Sequence, residues 1–174
     1  MFKMKKLMKS CIILLLCVAL SGVSHPTTVF AAGEPSNGSY KIKCVGTGQY
    51  LSVIDGQVTF DGTGTVFKIE DTEPSPSVKW FSISYGDRAL SFPDKDANAL
   101  LPYLIAGSYD YGDSEYYQYV RQRFQFGKTA SGYNIHSIAF GNNTDKRVLT
   151  VENNTLCLRK ANGSKNQIFI LESQ

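Results

Sequence analysis

The chain has 174 residues, with 18 Lys and Arg against 15 Asp and Glu, four Cys and one Trp. The first 32 residues hold Lys3, Lys5, Lys6 and Lys9 and no acid, so the remainder carries 14 basic against 15 acidic groups and lacks the basic field that a nucleic-acid binder uses to neutralise phosphates. Cys11 and Cys17 fall in that same stretch, which leaves Cys44 and Cys157: too few for a disulfide-scaffolded mini-protein, and without metal-ligand spacing.

In chain order, the basic start is followed by an apolar run at residues 11–20 (CIILLLCVAL). That run is about half of the ~20 residues a membrane-spanning helix needs. Small residues then suit cleavage after Ala31, with Val29 two positions before it. The pattern predicts a secretory signal peptide over residues 1–31, an extracellular protein and no membrane span in the mature chain; an uncleaved anchor is the alternative. The leader resembles those of Gram-positive secreted proteins. Residues 32–38 read as a flexible lead-in.

From residue 39 the chain repeats a pattern three times. Tyr40–Cys44, Phe81–Tyr85 and Tyr133–Ser137 alternate apolar and polar residues, and each leads to a second short run: Tyr50–Val53, Ala89–Phe92 and Val148–Val151. Third runs follow at Gln57–Phe60, less clearly near Leu100–Ile105, and at Thr155–Arg159. Phe67-Lys-Ile69, Phe124-Gln-Phe126 and Phe169-Ile-Leu171 close the units. Alternation with Gly, Asn and Asp between the runs predicts half-buried antiparallel strands joined by tight turns. No stretch sustains helical spacing with caps at both ends. Three such units cannot each bury a face alone, so they are expected to close around a shared threefold axis as an all-β, β-trefoil domain over residues 39–173. The repeats span about 39–73, 79–128 and 132–173, with an insertion in the second and a proline-containing link, Glu73-Pro74-Ser75-Pro76-Ser77, after the first. A β-sandwich is the rival architecture.

The unit Gly48-Gln-Tyr-Leu-Ser-Val53 through Val66-Phe-Lys-Ile-Glu70 resembles a fascin-type trefoil repeat. Asn166-Gln167-Ile-Phe169 is similar to the Asn-Gln-x-Trp closing motif of ricin-type lectin repeats, with Phe in place of Trp. Arg121-Gln122-Arg-Phe124 keeps the Gln and the aromatic, and Thr65-Val66-Phe67 keeps the aromatic alone. The resemblance implies a trefoil fold and points to sugar recognition. It does not transfer a galactose site, because the positions matching the sugar-binding Asp are Ser52, Ser91 and Thr150. Of the lectin motif only Asn166 and Gln167 persist as candidate ligand contacts, with backbone hydrogen bonding as the other role open to the Gln.

The insertion carries the strongest binding signal. Between Pro102 and Arg121 lie Tyr103, Tyr109, Tyr111, Tyr116, Tyr117 and Tyr119, interleaved with Asp110, Asp113, Glu115 and Gln118. Tyrosine offers a rigid stacking face and a hydroxyl, which suits the apolar face and hydroxyl rim of a pyranose. Tyr109, Asp110, Tyr111, Asp113, Tyr116 and Gln118 are therefore the candidate ligand-binding residues. The alternative is that Tyr117 and Tyr119 alternate on an extended strand and plug the barrel end.

Catalytic signals are scarce. His136 lies between inward-facing Ile135 and Ser137, so it is expected to face solvent, and no Gly-x-Ser-x-Gly elbow is present. Asp94, Asp96, Asp110 and Asp113 read as turn residues, without the ligand set of a calcium loop. Cys44 falls on the core face and Cys157 on the outer face, which predicts two free thiols; a bridge is the alternative that export permits. The reading is a secreted, non-catalytic binding module with lectin-like carbohydrate recognition. It needs no metal or cofactor, and its partner is a glycan or glycoprotein at a cell surface. The alternative is a protein-binding trefoil: a toxin component, adhesin or protease inhibitor.

Overall fold

Burial alternates along the first strand as the sequence requires: Tyr40, Ile42 and Cys44 are enclosed while the residues between them are half-exposed. The computed structural model, which describes residues 33–72, 79–105, 114–140 and 146–174, holds twelve strands there, and the alternation recurs at Phe67–Asp71, Phe124–Thr129, Gly132–Ser137 and Phe169–Ser173. Repeat one holds β1 (Gly38–Cys44), β2 (Tyr50–Ile54), β3 (Gln57–Asp61) and β4 (Phe67–Asp71). Repeat two holds β5 (Phe81–Tyr85), β6 (Arg88–Ser91), β7 (Ala99–Pro102) and β8 (Phe124–Thr129). Repeat three holds β9 (Gly132–Ser137), β10 (Arg147–Glu152), β11 (Thr155–Lys160) and β12 (Phe169–Ser173). The leader and the proline link lie outside the described residues.

The first and last strands of each repeat pair antiparallel around a closed ring, β1–β4–β5–β8–β9–β12 and back to β1. The registers are equivalent in all three repeats. Within a repeat an aromatic faces an aromatic: Tyr40 opposite Phe67, Phe81 opposite Phe124, Tyr133 opposite Phe169. Between repeats the next layer pairs Ile69 with Ile83, Phe126 with Ile135 and Leu171 with Ile42. The second and third strands of each repeat form the hairpins β2–β3, β6–β7 and β10–β11, which add Leu51, Leu90 and Leu149 to the same core. This is the β-trefoil architecture expected from the repeats.

Three local expectations are corrected. A short helix, α1 (Ser114–Val120), occupies the end of the insertion, and a 3-10 turn covers Lys165–Gln167. The lead-in is tied down near its end: Ser36 receives the Tyr40 hydroxyl on its carbonyl at 2.9 Å, and the Asn37 side chain accepts from the Asp71 amide at 2.7 Å. Cys157 is buried rather than outward, along with Leu156 and Leu158. Both faces of β11 are covered there. Thr150, opposite Cys157 in the ladder, accepts a hydrogen bond from buried Gln167.

Both thiols are free, and burial raises the Cys157 thiol to about 11. It donates to the Thr150 carbonyl at 3.5 Å, while Cys44 lies 3.8 Å from the carbonyl of Lys165. An enclosed, protonated thiol is a poor nucleophile. Alkylation followed by peptide mapping is therefore expected to leave Cys44 and Cys157 unmodified in the native protein and to label both once denaturant is added without reductant; a disulfide-linked peptide would contradict the fold described.

Phe67, Phe124 and Phe169 are at most 1% exposed. Truncating any one to Ala is expected to cost about 3–5 kcal/mol through lost burial and the cavity left behind. Val66, 41% exposed beside Phe67, is the control: its truncation should change stability by no more than about 0.5 kcal/mol, read from denaturant midpoints.

Candidate functional site

The third and fourth strands are joined by residues 62–66 in repeat one and 161–168 in repeat three, but by 103–123 in repeat two. Of the candidate residues in this insertion, Tyr109, Asp110, Tyr111 and Asp113 lie outside the described residues. Tyr116, Gln118 and their neighbours sit on α1. Glu115 in its first turn suits the positive end of the helix dipole. The helix spacing puts Tyr116, Tyr119 and Val120 toward the domain and leaves Tyr117 and Gln118 outward. Tyr119 and Val120 are buried, Tyr116 is half-buried, and Tyr117 is 45% exposed. The Tyr116 and Tyr117 rings meet edge to face, with centroids 5.9 Å apart.

Beneath this ledge lies Arg123, with no exposed surface. Its guanidinium stacks 4.0 Å from the centroid of Tyr119 and 5.5 Å from that of Tyr103. It donates through Nη1 to the Gln122 carbonyl at 3.2 Å and through Nη2 to the Leu104 carbonyl, while Nε is enclosed without a partner. A planar, weakly hydrated cation suits such a slot; a lysine ammonium does not. The equivalent residues Val66 and Ile168 are not enclosed, so the insertion itself buries Arg123. Backbone bonds fix the end of the helix to the barrel: Phe92 donates to the Arg121 carbonyl at 3.2 Å, and Ile138 to that of Arg123 at 3.0 Å. Tyr119 thus plugs the barrel flank from a helix, not from an extended strand, and the same helix presents Tyr117.

The Gln of the closing motif is structural. Gln167 is fully buried: Nε2 donates to Thr150 Oγ1 at 3.1 Å and to the Lys160 carbonyl at 3.0 Å, and Oε1 accepts from the Asn162 amide at 2.9 Å. Enclosed, and bonded to the chain through both ends of its carboxamide, it is out of a ligand's reach, which corrects the expectation that it contacts sugar. Gln122 repeats the arrangement, donating to the Pro102 carbonyl at 2.8 Å and accepting from the Leu104 amide at 3.0 Å. In repeat one, Thr65 takes the place: its hydroxyl accepts from the Val53 amide at 2.9 Å and its own amide donates to Leu51. Asn166 is exposed but crosses Gly46, where an added Cβ would lie 1.9 Å from its Oδ1. Glycine is required there because no side chain fits.

Ser52, Ser91 and Thr150 are all buried, so the positions matching the sugar-binding Asp present no side chain to a ligand. One carboxylate escaped the sequence reading. Asp61, closing β3, accepts from Ser52 Oγ at 2.5 Å and from the Gly64 and Thr63 amides at 2.8 and 2.9 Å. These bonds hold its carboxyl down to about 2, and their role is to cap the turn. Asp94 likewise caps its own turn through the amides of Asp96 and Ala97, at 2.6 and 3.1 Å. His136 is half-buried rather than solvent-facing, with Nδ1 enclosed and unpartnered; burial, then the charge of Lys146, lowers its affinity for a proton. Among the described residues no group of three or more His, Cys, Asp or Glu could hold a metal ion, and no helix is long and apolar enough to cross a membrane.

No protein-family model and no curated protein sequence matches the chain. Solved structures do resemble it. SeviL bound to the asialo-GM1 saccharide superposes with a TM-score of 0.55 at 11% identity, covering 79% of this chain and 98% of SeviL. The BEL β-trefoil gives 0.56 at 12% identity, covering 83% of this chain and 97% of its own. A mosquitocidal holotoxin gives 0.58 at 14% identity, covering 80% of this chain but 18% of its own. At these identities the likeness establishes the β-trefoil fold, one shared by lectins and by a toxin component.

The two residues of the closing motif should separate in their effects. Gln167→Ala leaves buried backbone groups without partners, at about 1–3 kcal/mol for each group that water cannot reach. Asn166→Ala removes an exposed side chain and is expected to shift stability by less than about 1 kcal/mol. Thermal and denaturant unfolding of both variants measures the difference.

Proposed function

We propose that the chain is an exported, non-catalytic binding module that recognises carbohydrate on a cell surface through the aromatic insertion of its second repeat. The observation that carries this reading is Tyr117: nearly half exposed, set edge to face against Tyr116, and presented by a helix whose other side is locked over Arg123. A ring fixed before binding loses little entropy on contact, and its face matches the C–H face of a pyranose. Gln118, exposed on the next residue, supplies a donor and an acceptor for the hydroxyl rim. Tyr109, Asp110, Tyr111 and Asp113 belong to the same insertion and are further candidates by residue type. The saccharide bound to SeviL supports this class of ligand for the fold.

A protein-binding role is the second reading. It is favoured by the likeness to part of a much longer mosquitocidal holotoxin, and by Ile105, an apolar residue 68% exposed in the same insertion.

A glycan array run beside a pull-down from host-cell extract separates the two. Carbohydrate recognition predicts array signals that Tyr117→Ala weakens about tenfold, equivalent to about 1.4 kcal/mol, with the melting temperature within a degree or two of wild type. An array without signal, together with a captured protein whose binding resists deglycosylation, would replace this reading with the second.

A further inference from the structure

The three hairpins are not equal. β2–β3 and β10–β11 close through two-residue turns, Asp55-Gly56 and Asn153-Asn154, whose φ values of 51°, 76°, 50° and 60° are those of tight hairpin turns. The β6–β7 hairpin instead runs through Phe92–Asn98 before β7 begins. This longer connection leans on repeat three. The Lys95 carbonyl accepts from the Leu158 amide at 2.8 Å, Asn98 Nδ2 donates to the Leu156 carbonyl at 2.7 Å, and Asp96 pairs with Arg159 at 2.6 Å. On the other side, Thr59 Oγ1 approaches the Asn154 carbonyl at 3.4 Å.

Drawn to one side, the long connection leaves a half-open hollow of about 510 Å³ where the three hairpins meet, roomy enough for a small molecule bound with one side in water. Gln57, Thr59, Asn98 and Thr155 line it with amide and hydroxyl groups; Val58 and Leu100 give it an apolar floor. None of the residues lining it is a lysine, an arginine or an aromatic, which disfavours phosphates and flat aromatic ligands alike. The Asp96 carboxylate also lines it, paired with Arg159, and disfavours an anion further; the neutral amides and hydroxyls over a small apolar patch match a compact molecule carrying several hydroxyls. The bonds tying Lys95, Asn98 and Asp96 to β11 fix the walls, so the hollow is formed without a ligand.

We infer that the hollow between the three hairpins is a second binding site, separate from α1, for a single sugar ring or a polyol of similar size. It rests on none of the insertion tyrosines, and so stands apart from the reading above.

The test is a titration of 15N-labelled protein with the methyl α-glycosides of glucose, mannose and galactose, with inorganic phosphate as the anionic probe, following the side-chain amide signals of Gln57, Asn98 and Asn154. At least one glycoside should give saturable shifts of these signals, and phosphate none. Ala97→Trp fills the hollow from an exposed position and should weaken binding at least tenfold with the melting temperature retained. Gln57→Ala removes only an exposed amide and should weaken it severalfold; it carries the test if the tryptophan variant does not fold. Tyr117→Ala should leave the shifts in place, so that failure at one site is told apart from failure at the other. Absence of shifts with all three glycosides, a response to phosphate alone, unchanged affinity in both hollow variants, or loss of the shifts in Tyr117→Ala would each overturn the assignment.

Discussion

The closed ring of six strands is the constraint on which the rest of this molecule depends. Every barrel strand has two neighbours, so the ring has no free edge, and closure is possible only if the three repeats keep one register. A slip of one residue would turn an entire set of inward side chains outward. The register is marked where Tyr40, Phe81 and Tyr133 lie opposite Phe67, Phe124 and Phe169 in the ladder, a pairing of buried aromatic positions made three times over. Because those positions fix the barrel, the connections between third and fourth strands are free to differ. Repeats one and three keep them short, and repeat two uses its connection to carry α1.

The same position, two residues ahead of each closing aromatic, is solved in two chemical ways. Gln122 and Gln167 reach across with a carboxamide that both donates and accepts, which ties a long connection back to the barrel. Thr65 closes a shorter connection, and one hydroxyl suffices for the Val53 amide. A polar group so deeply placed is costly unless every bond is made, which explains why the Gln is committed to the backbone. Between Gln122 and Phe124, Arg123 shows what the insertion changes. The residue between motif and aromatic is apolar in the other repeats, yet in repeat two it is a cation enclosed by tyrosines.

Much of the fold was legible in the sequence because burial in half-covered strands leaves a period-two trace, and three copies of it reinforce one another. Phe67, Phe124 and Phe169 stood out for that reason. The trace fails where both faces are covered. β5 buries Phe81, Ser82, Ile83 and Ser84 alike, and β11 buries Cys157 between two leucines, so neither outer face could be read from alternation. α1 left no signal because seven residues give too few turns for a periodic stripe, and tyrosines rather than a run of aliphatic residues make most of its inward face. Of the proposed ledge, the tyrosine density was visible in the sequence, but its support was not: nothing local marks Arg123 as buried. The hollow was invisible for a further reason, since it arises from the difference in length between hairpins that meet only in three dimensions.

The chain begins and finishes its barrel side by side. β1 pairs with β12 from Tyr40 opposite Ser173 to Cys44 opposite Phe169, and the Gln174 amide donates to the Ser39 carbonyl at 3.0 Å. Where a fold starts is then an accident of its connectivity rather than of its packing. A short linker from residue 174 to residue 38 would close the polypeptide into a circle, and new ends could be opened at the Ala130–Ser131 turn with every barrel pairing kept. For the same reason the domain could be inserted whole into a surface loop of another protein, entering and leaving at one point, with its hairpins and its helix still facing outward.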